Sequence, residues 1–257
     1  MKDKLKKAIE NPKIAAYYVT SALYNSIIDL CSGKNKKKSQ SLLSELPELN
    51  EIKEHSQKRN DINDHLVTLF TESINVKPAL IVELGVRNGL GSTIVFERVA
   101  KLRDSTLVSV DLQPCSRIST HKKWFFVQQD DITFAQEFKA WCRQRKISPV
   151  IDLLFIDTSH IYDHTVQEIN HWFPLLSGHA KVFFHDSNQQ TLYQRKDGSI
   201  GFAWNNNRGV ILALENYFGK KFPETVDFID LSKGWLIKHQ AHCNGLTILE
   251  KVQGLPQ

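Results

Sequence analysis

Five short apolar runs separated by stretches of helical periodicity constrain this chain more than any other feature. They read PALIVELG (78–85), TLVSVD (106–111), WFFVQQD (124–130), IDLLFID (151–157) and KVFFHD (181–186). Runs this apolar need cover on both faces, and the segments between them (STIVFERVAKL, ITFAQEFKAWCRQRK, TVQEINHWFPLL, then RGVILALENYF) carry apolar residues at helical spacing. The pattern predicts an α/β fold, a Rossmann-like seven-stranded mostly parallel sheet with helices on both faces. Two later runs, VDFID and GLTILEK, are expected to pair antiparallel at one edge. This domain spans 61–257, and residues 1–60 precede it as an N-terminal helical extension. In that extension Leu5, Ile9, Ile14, Tyr18, Leu23 and Ile27 recur at helical spacing around a break at Pro12, and SLLSELPELNEI forms a second helical region. A third, DINDHLVTLFTESIN, has Asp61 placed as its N-cap.

Charge separates the two parts. Residues 1–60 hold 12 Lys/Arg and 7 Asp/Glu, while residues 61–257 hold 21 of each, so the whole net charge of +5 sits in the extension. Much of it is KNKKK at 34–38, read as a solvated loop; no aromatic residue interleaves with it, which argues against a nucleic-acid partner. No apolar run is long enough to span a membrane and the N-terminus lacks a signal-peptide core, so the chain reads as cytoplasmic. The four cysteines are widely spaced, with no C-x-x-C pair, and are expected to be reduced, buried thiols.

Four of the runs end in an aspartate, and the first carries Glu83 two residues before its closing glycine. Ligands of open α/β sheets bind at the carboxyl ends of the strands, so acids at five consecutive ends point to a site. The first run leads into VELGVRNGLGS, where Gly85, Gly89 and Gly91 permit a tight turn and close approach of backbone, with Ser92 opening the next helix. The G-x-x-x-G-x-G spacing is not the dinucleotide fingerprint, and Glu83 would repel a pyrophosphate but suits a cation. Asp111 is placed to accept ribose hydroxyls, and Asp130 or Asp131 an adenine amino group. Together they describe a nucleoside that carries a positively charged amino acid, S-adenosyl-L-methionine.

VELGVRNGLGS resembles motif I of class I S-adenosylmethionine-dependent methyltransferases, and the strand pattern over 61–251 is similar to theirs. The block FIDTSHIYDHTVQEINHWFPLLSGHAKVFFHDSN, with RNDINDHLVTLF upstream, resembles the metal-dependent sugar and natural-product O-methyltransferases, the mycinamicin, rhamnosyl and cephalosporin-hydroxylase-like group. Two departures stand out. The turn before the fifth run is Ser177-Gly178-His179-Ala180 where two glycines are usual, and His185 stands where several relatives have Glu.

O-methylation needs the acceptor hydroxyl aligned with the sulfonium methyl and made nucleophilic. Carboxylates at adjacent strand ends suit a hard divalent cation such as Mg²⁺. Asp157 and Asp186 are therefore assigned as metal ligands, the pair the resemblance also implies. His185 is a third candidate, and Asn188 the oxygen-donor alternative. His160, three residues past Asp157, is placed as general base, the role proposed for the D-x-x-H histidine of the resembling enzymes. His160, His164 and His171 share a helical face and, with no glutamate-bearing zinc motif beside them, read as a half-exposed stripe. The twenty-odd residues of 187–208 are a candidate lid, with Tyr193, Arg195, Trp204 and Arg208 as substrate contacts alongside Asn188. The expected partner is a small-molecule hydroxyl acceptor. The N-terminal helices form either a cap over the pocket or the interface of a homo-oligomer. Two rival readings are a nicotinamide-dependent oxidoreductase, disfavoured by the glycine spacing, and a non-catalytic Rossmann-like domain that binds a partner.

Overall fold

The structure is a computed structural model and describes residues 12–31 and 46–252. The lysine cluster at 34–38 lies outside the described residues, as do Leu5 and Ile9. Helices α1 (Pro12–Cys31), α2 (Pro47–His55) and α3 (Leu66–Val76) precede the sheet. Then come β1 (Leu80–Leu84), α4 (Ser92–Arg103), β2 (Thr106–Asp111), β3 (Trp124–Gln128), α5 (Asp131–Gln144), β4 (Ile151–Ile156), α6 (Tyr162–Trp172) and β5 (Leu176–His185). A short hairpin, β6 (Leu192–Gln194) and β7 (Ile200–Phe202), leads to α7 (Gly209–Phe218) and to the strands β8 (Phe228–Ser232), β9 (Trp235–Gln240) and β10 (Leu246–Lys251).

The main sheet runs β3-β2-β1-β4-β5-β10-β9-β8, with the first five strands parallel and the last three antiparallel. It has eight strands where the sequence pattern predicts seven. The extra one is β9, WLIKHQ, which sits between the two runs expected to pair directly. Its burial alternates, Trp235, Ile237 and His239 inward and Leu236, Lys238 and Gln240 half-exposed, because one face of this edge meets solvent.

Burial explains the runs inside the sheet, while β3, at its edge, is only half-buried. β1 and β4 are buried at every position, and alternate side chains enter two different cores. Leu154, Ile156, Val182 and Phe184 pack against α5, α6 and α7 through Phe134, Phe138, Trp172 and Leu214. Leu153, Phe155 and Phe183 pack the other way, against α2, α3 and α4 through Ile52, Leu66, Phe70 and Phe96. Strand order reverses between β1 and β4, and parallel register brings the ends of β1, β2 and β4 level, with Leu84 opposite both Val110 and Ile156. The crevice at that reversal point is where a ligand fits.

Asp61 is not a helix N-cap. A 3-10 turn, Asn63–His65, precedes α3, and Asp61 instead reaches Arg87, Oδ2 to Nη1 at 2.7 Å. Cys115, Cys142 and Cys243 are free and buried. Among the described residues, no helix is long and apolar enough to cross a membrane.

Phe155 is fully buried, its ring 5.3 Å from that of Phe96. Phe155→Ala is expected to lower the unfolding free energy by about 3–5 kcal/mol, read as a lower urea midpoint at unchanged slope.

Candidate active site

The glycine loop after β1 is held by what lies around it. Gly85 has φ +89°, and a Cβ there would stand 2.0 Å from the Asp157 carbonyl oxygen, so the ends of β1 and β4 meet only because that side chain is absent. Asp111 draws the loop in from the other side: Oδ2 accepts from Val86 N (2.8 Å) and Arg87 N (2.9 Å), and Oδ1 from Gln113 N (2.8 Å). Glu83 lies beneath, fully buried. Its Oε1 accepts from Ser92 Oγ (2.7 Å) and Thr93 Oγ1 (2.9 Å), and its Oε2 from Ser109 Oγ (2.7 Å). Burial pushes its carboxyl up to about 7 although the three hydroxyls pull the other way.

Above these strand ends opens a cavity of about 690 Å³. On the β2–β3 side its wall is formed by Asp111, Leu112, Asp130 and Asp131, and on the β4–β5 side by Asp157, His160 and Asp186. Asp157, His160 and Asp186 each bring a ligand-type atom within 4.8 Å of the others. His160 Nε2 is 3.0 Å from Asp186 Oδ2 and 3.8 Å from Asp157 Oδ1. Both His160 (φ +58°) and Asp186 (φ +56°) adopt the left-handed conformation, which is uncommon for non-glycine residues and here aims their side chains together. Gly209 at the start of α7 permits this: its Cβ would fall 2.3 Å from the His160 carbonyl oxygen.

His185 lies under the carboxylates, fully buried. Its Nδ1 is 3.2 Å from Asp157 Oδ1 and 3.3 Å from Asp186 Oδ1, and its Nε2 is 3.1 Å from the Asp61 carbonyl oxygen. A carbonyl only accepts, so Nε2 bears a hydrogen while Nδ1 faces two carboxylates. Burial opposes charging the ring, yet those two acids hold its pKa well above the ordinary range. Asp186 is held down to about 2, against its own burial, by the His185 and His160 rings.

A methyltransferase-domain family model matches residues 82–187, the stretch from β1 to the end of β5. The likeness in sequence is to a methyltransferase domain and is carried by that stretch. No curated protein matches the chain in sequence. Solved structures match by fold. A methyltransferase from Geobacter sulfurreducens aligns over 81% of this chain and 90% of its own at 13% identity, TM-score 0.50. A putative caffeoyl-CoA O-methyltransferase from Staphylococcus aureus aligns over 88% and 98% at 15% identity, TM-score 0.50. MycE methyltransferase of the mycinamycin biosynthetic pathway, solved with Mg, S-adenosylhomocysteine and mycinamycin VI, aligns over 81% of this chain at 17% identity and TM-score 0.50, and the chain spans 54% of its length. The fold is that of the class I S-adenosylmethionine-dependent methyltransferases.

The residues expected at the site take different positions around the cavity. Gly85, Asp111, Asp130, Asp131, Asp157, His160, Asp186 and Trp204 line the cavity. Glu83 and Ser92 are bonded to each other behind the loop, so Glu83 is a brace rather than a contact for a cation. Gly89 (φ +70°) and Gly91 shape the loop against Ile118 and Ile62. Asp130 caps α5 through Thr133 N (2.9 Å), and Asp131 turns to His164 Nε2 (3.0 Å). His185 lies behind the two aspartates, between them and the Asp61 carbonyl, while His160 stands beside them on the cavity side. Asn188 donates Nδ2 to the Ala241 carbonyl (2.7 Å), away from the cavity. Tyr193 and Arg195 are buried, and Arg195 spends its guanidinium on Asn60 O, Ser199 Oγ and Tyr193 Oη. Arg208 is tied to Glu215 and Glu224. Of the proposed lid contacts only Trp204 reaches the cavity, 51% exposed, its ring 6.2 Å from that of His160. Gln189 and Phe202 also line it and carried no sequence signal; Arg87 and Asp61 do too, and their signal was position inside the glycine loop and inside RNDINDH.

Glu83 makes stability depend on pH. Its folded pKa of about 7 exceeds the ordinary 4.5, so the folded state holds the proton more tightly and stability falls as pH rises from about 4.5 to 7. Glu83→Gln removes that dependence. Relative to the parent it should gain on the order of 2–3 kcal/mol between pH 5 and pH 8 in urea unfolding, and a pH-independent difference would contradict the assignment.

Proposed function

We propose that the chain is an S-adenosylmethionine-dependent O-methyltransferase that works with a divalent cation, Mg²⁺ first among them, on a hydroxyl of a sugar or another small polyhydroxylated natural product. The observation that carries this reading is the meeting of Asp157, His160 and Asp186 on the β4–β5 side of a cavity whose β2–β3 side carries Asp111 and Asp130.

The nucleoside fits the β2–β3 side. Asp111 Oδ2 is taken up by two loop amides, but Oδ1, which accepts only from Gln113 N, keeps a second lone pair that suits a ribose hydroxyl. Leu112, 70% exposed, offers an apolar face to a base, with Asp130 beside it. S-adenosylmethionine supplies the methyl group as an electrophile, so the remaining work is alignment and proton removal. Gly85 lets a ligand approach the backbone, and Arg87 at the loop tip offers a cation to its carboxylate end.

The donor set fits a hard cation: two carboxylates at adjacent strand ends, with Asp186 Oδ1 buried and without a hydrogen bond of good geometry. Asp157 and Asp186 would hold it, and bound there it would lower the pKa of an acceptor hydroxyl. His160, on the wall between carboxylates and lid, takes the acceptor proton. A second reading, His160 as third ligand, is favoured by its 3.0 Å contact with Asp186. MycE, of this fold and solved with Mg and mycinamycin VI, supports the substrate class. Residues 1–60 are proposed as a helical extension to the domain of 61–257. Its α1 holds the lid hairpin through Asn25, whose Nδ2 donates to Ile200 O (2.8 Å) and whose Oδ1 accepts from Ile200 N (2.6 Å).

Calorimetric titration should show micromolar binding of S-adenosylhomocysteine and none of NAD; the reverse would restore the oxidoreductase reading. Against a panel of glycosylated and polyhydroxylated acceptors with labelled methyl donor, Asp157→Asn should cost at least 100-fold in turnover and abolish the response to Mg²⁺, with S-adenosylhomocysteine affinity kept within a few-fold. His160→Ala should slow turnover about 10²–10⁴-fold. Unchanged Mg²⁺ affinity in that variant identifies a base, and lost affinity identifies a ligand.

A further inference from the structure

A second polar cluster lies beside the cavity and takes no part in the reaction above. His164 and Glu168 stand one turn apart on α6 and face Asp131 at the start of α5. Each contributes an atom within 4.8 Å of the others. His164 Nε2 is 3.0 Å from Asp131 Oδ1 and 3.8 Å from Glu168 Oε1. Glu168 is fully buried and Asp131 is 7% exposed, and each leaves one carboxylate oxygen, Oε2 and Oδ2, buried with no hydrogen-bond partner. The other Glu168 oxygen accepts from Thr158 Oγ1 at 2.5 Å, in the loop directly after Asp157.

Two buried carboxylates side by side are electrostatically untenable without a positive charge between them. Burial and the Asp131 charge raise the Glu168 carboxyl, and the bond to Asp131 raises the His164 ring. Either a proton or a cation resolves the conflict. The donors favour a cation. One imidazole and two carboxylates form a mixed N/O set, on rigid helix positions, suited to Zn²⁺ or Co²⁺. At bond lengths of about 2.0–2.2 Å, tetrahedral ligand atoms lie roughly 3.3–3.6 Å apart, so the His164–Asp131 pair at 3.0 Å need only open slightly and the His164–Glu168 pair at 3.8 Å need only close slightly. Asp131 and His164 both line the cavity, which leaves the fourth position open to water or to a bound molecule.

We propose that Asp131, His164 and Glu168 form a second divalent-metal site, of transition-metal preference, that pins α5 and α6 to the loop carrying Asp157. It stands independently of the reading of Asp157, His160 and Asp186.

The test is metal stoichiometry on the full chain after chelator treatment, with Zn²⁺ titrated calorimetrically and Co²⁺ followed by its visible absorption. The Asp157→Asn/Asp186→Asn variant should still take up one Zn²⁺ per chain and melt at higher temperature with it. Adding His164→Ala to that background should weaken the binding at least 30-fold and erase the Co²⁺ bands. Glu168→Gln, which keeps the buried volume, should do the same, with folding of each variant checked by circular dichroism. In the otherwise unchanged chain, His164→Ala alone should lower bound metal by one equivalent, which covers the case in which the aspartate double variant fails to fold. Zn²⁺ uptake untouched by His164→Ala and Glu168→Gln, or no uptake at all, would overturn the proposal and leave a shared proton between the two acids.

Discussion

The ends of β1 and β4 approach so closely that no side chain fits between them, and the geometry of the cavity follows from that contact. Gly85 lies against the Asp157 carbonyl, and the Asp157 side chain reaches toward β5, its Oδ1 3.2 Å from His185 Nδ1. The same contact sets the height of the glycine loop, which Asp111 then clamps through two backbone amides. Glu83 holds the underside through three hydroxyls, one of them from β2. One missing Cβ and two acids thus fix the relative positions of three strand ends.

Once the strand ends are fixed, charge decides the rest. Asp157 and Asp186 converge, and their mutual repulsion in a buried site has to be met by donors. The protein supplies them from below with His185 and from the side with His160, while Arg87 lies within electrostatic reach and is paired with Asp61. His185 is itself located by the Asp61 backbone, so the short segment before α3 belongs to the site although it lies far from it in sequence. His185 thus places a base between the two carboxylates and offsets part of their negative charge.

The strands that carry these groups were legible because they are buried on both faces, and their apolar runs stop where the sheet meets solvent. The acids at the run ends were legible for the same reason. What was not legible came from contacts between distant segments. WLIKHQ alternates with Lys238 and Gln240 facing outward, so as a one-sided edge strand it lacked the continuous apolar signal of its neighbours. Arg195 and Arg208 are polar residues in a polar stretch, and only tertiary structure shows that Asn60 and Glu224 use them up. His164 and Glu168 carried an i,i+4 signal, but their partner Asp131 sits 33 residues earlier, on another helix. Glu83 was rightly marked as unusual, yet the hydroxyls that surround it, Ser92, Thr93 and Ser109, decide that it braces the loop and does not face the ligand.

The stretch 187–208 connects these fixed parts to the variable ones. At its start it is bound to the sheet, for Asn188 N donates to Asn244 O at 2.7 Å and a Cβ on Gly245 would strike that same amide. At its end Gly209 packs against the His160 carbonyl, so the exit of the lid and the position of His160 are one constraint. Between them the β6–β7 hairpin is stiffened by Tyr193 lying over Gly201, and its outer edge is completed by Asn25 of α1. The residues that face the cavity, Phe202, Ala203 and Trp204, therefore hang between a rigid sheet edge and a helix of the extension. Asn25 of α1 therefore bonds the strand that runs directly into the aromatic wall beside His160. The ends of β1 and β2 are held separately, by Gly85, Asp111 and Glu83.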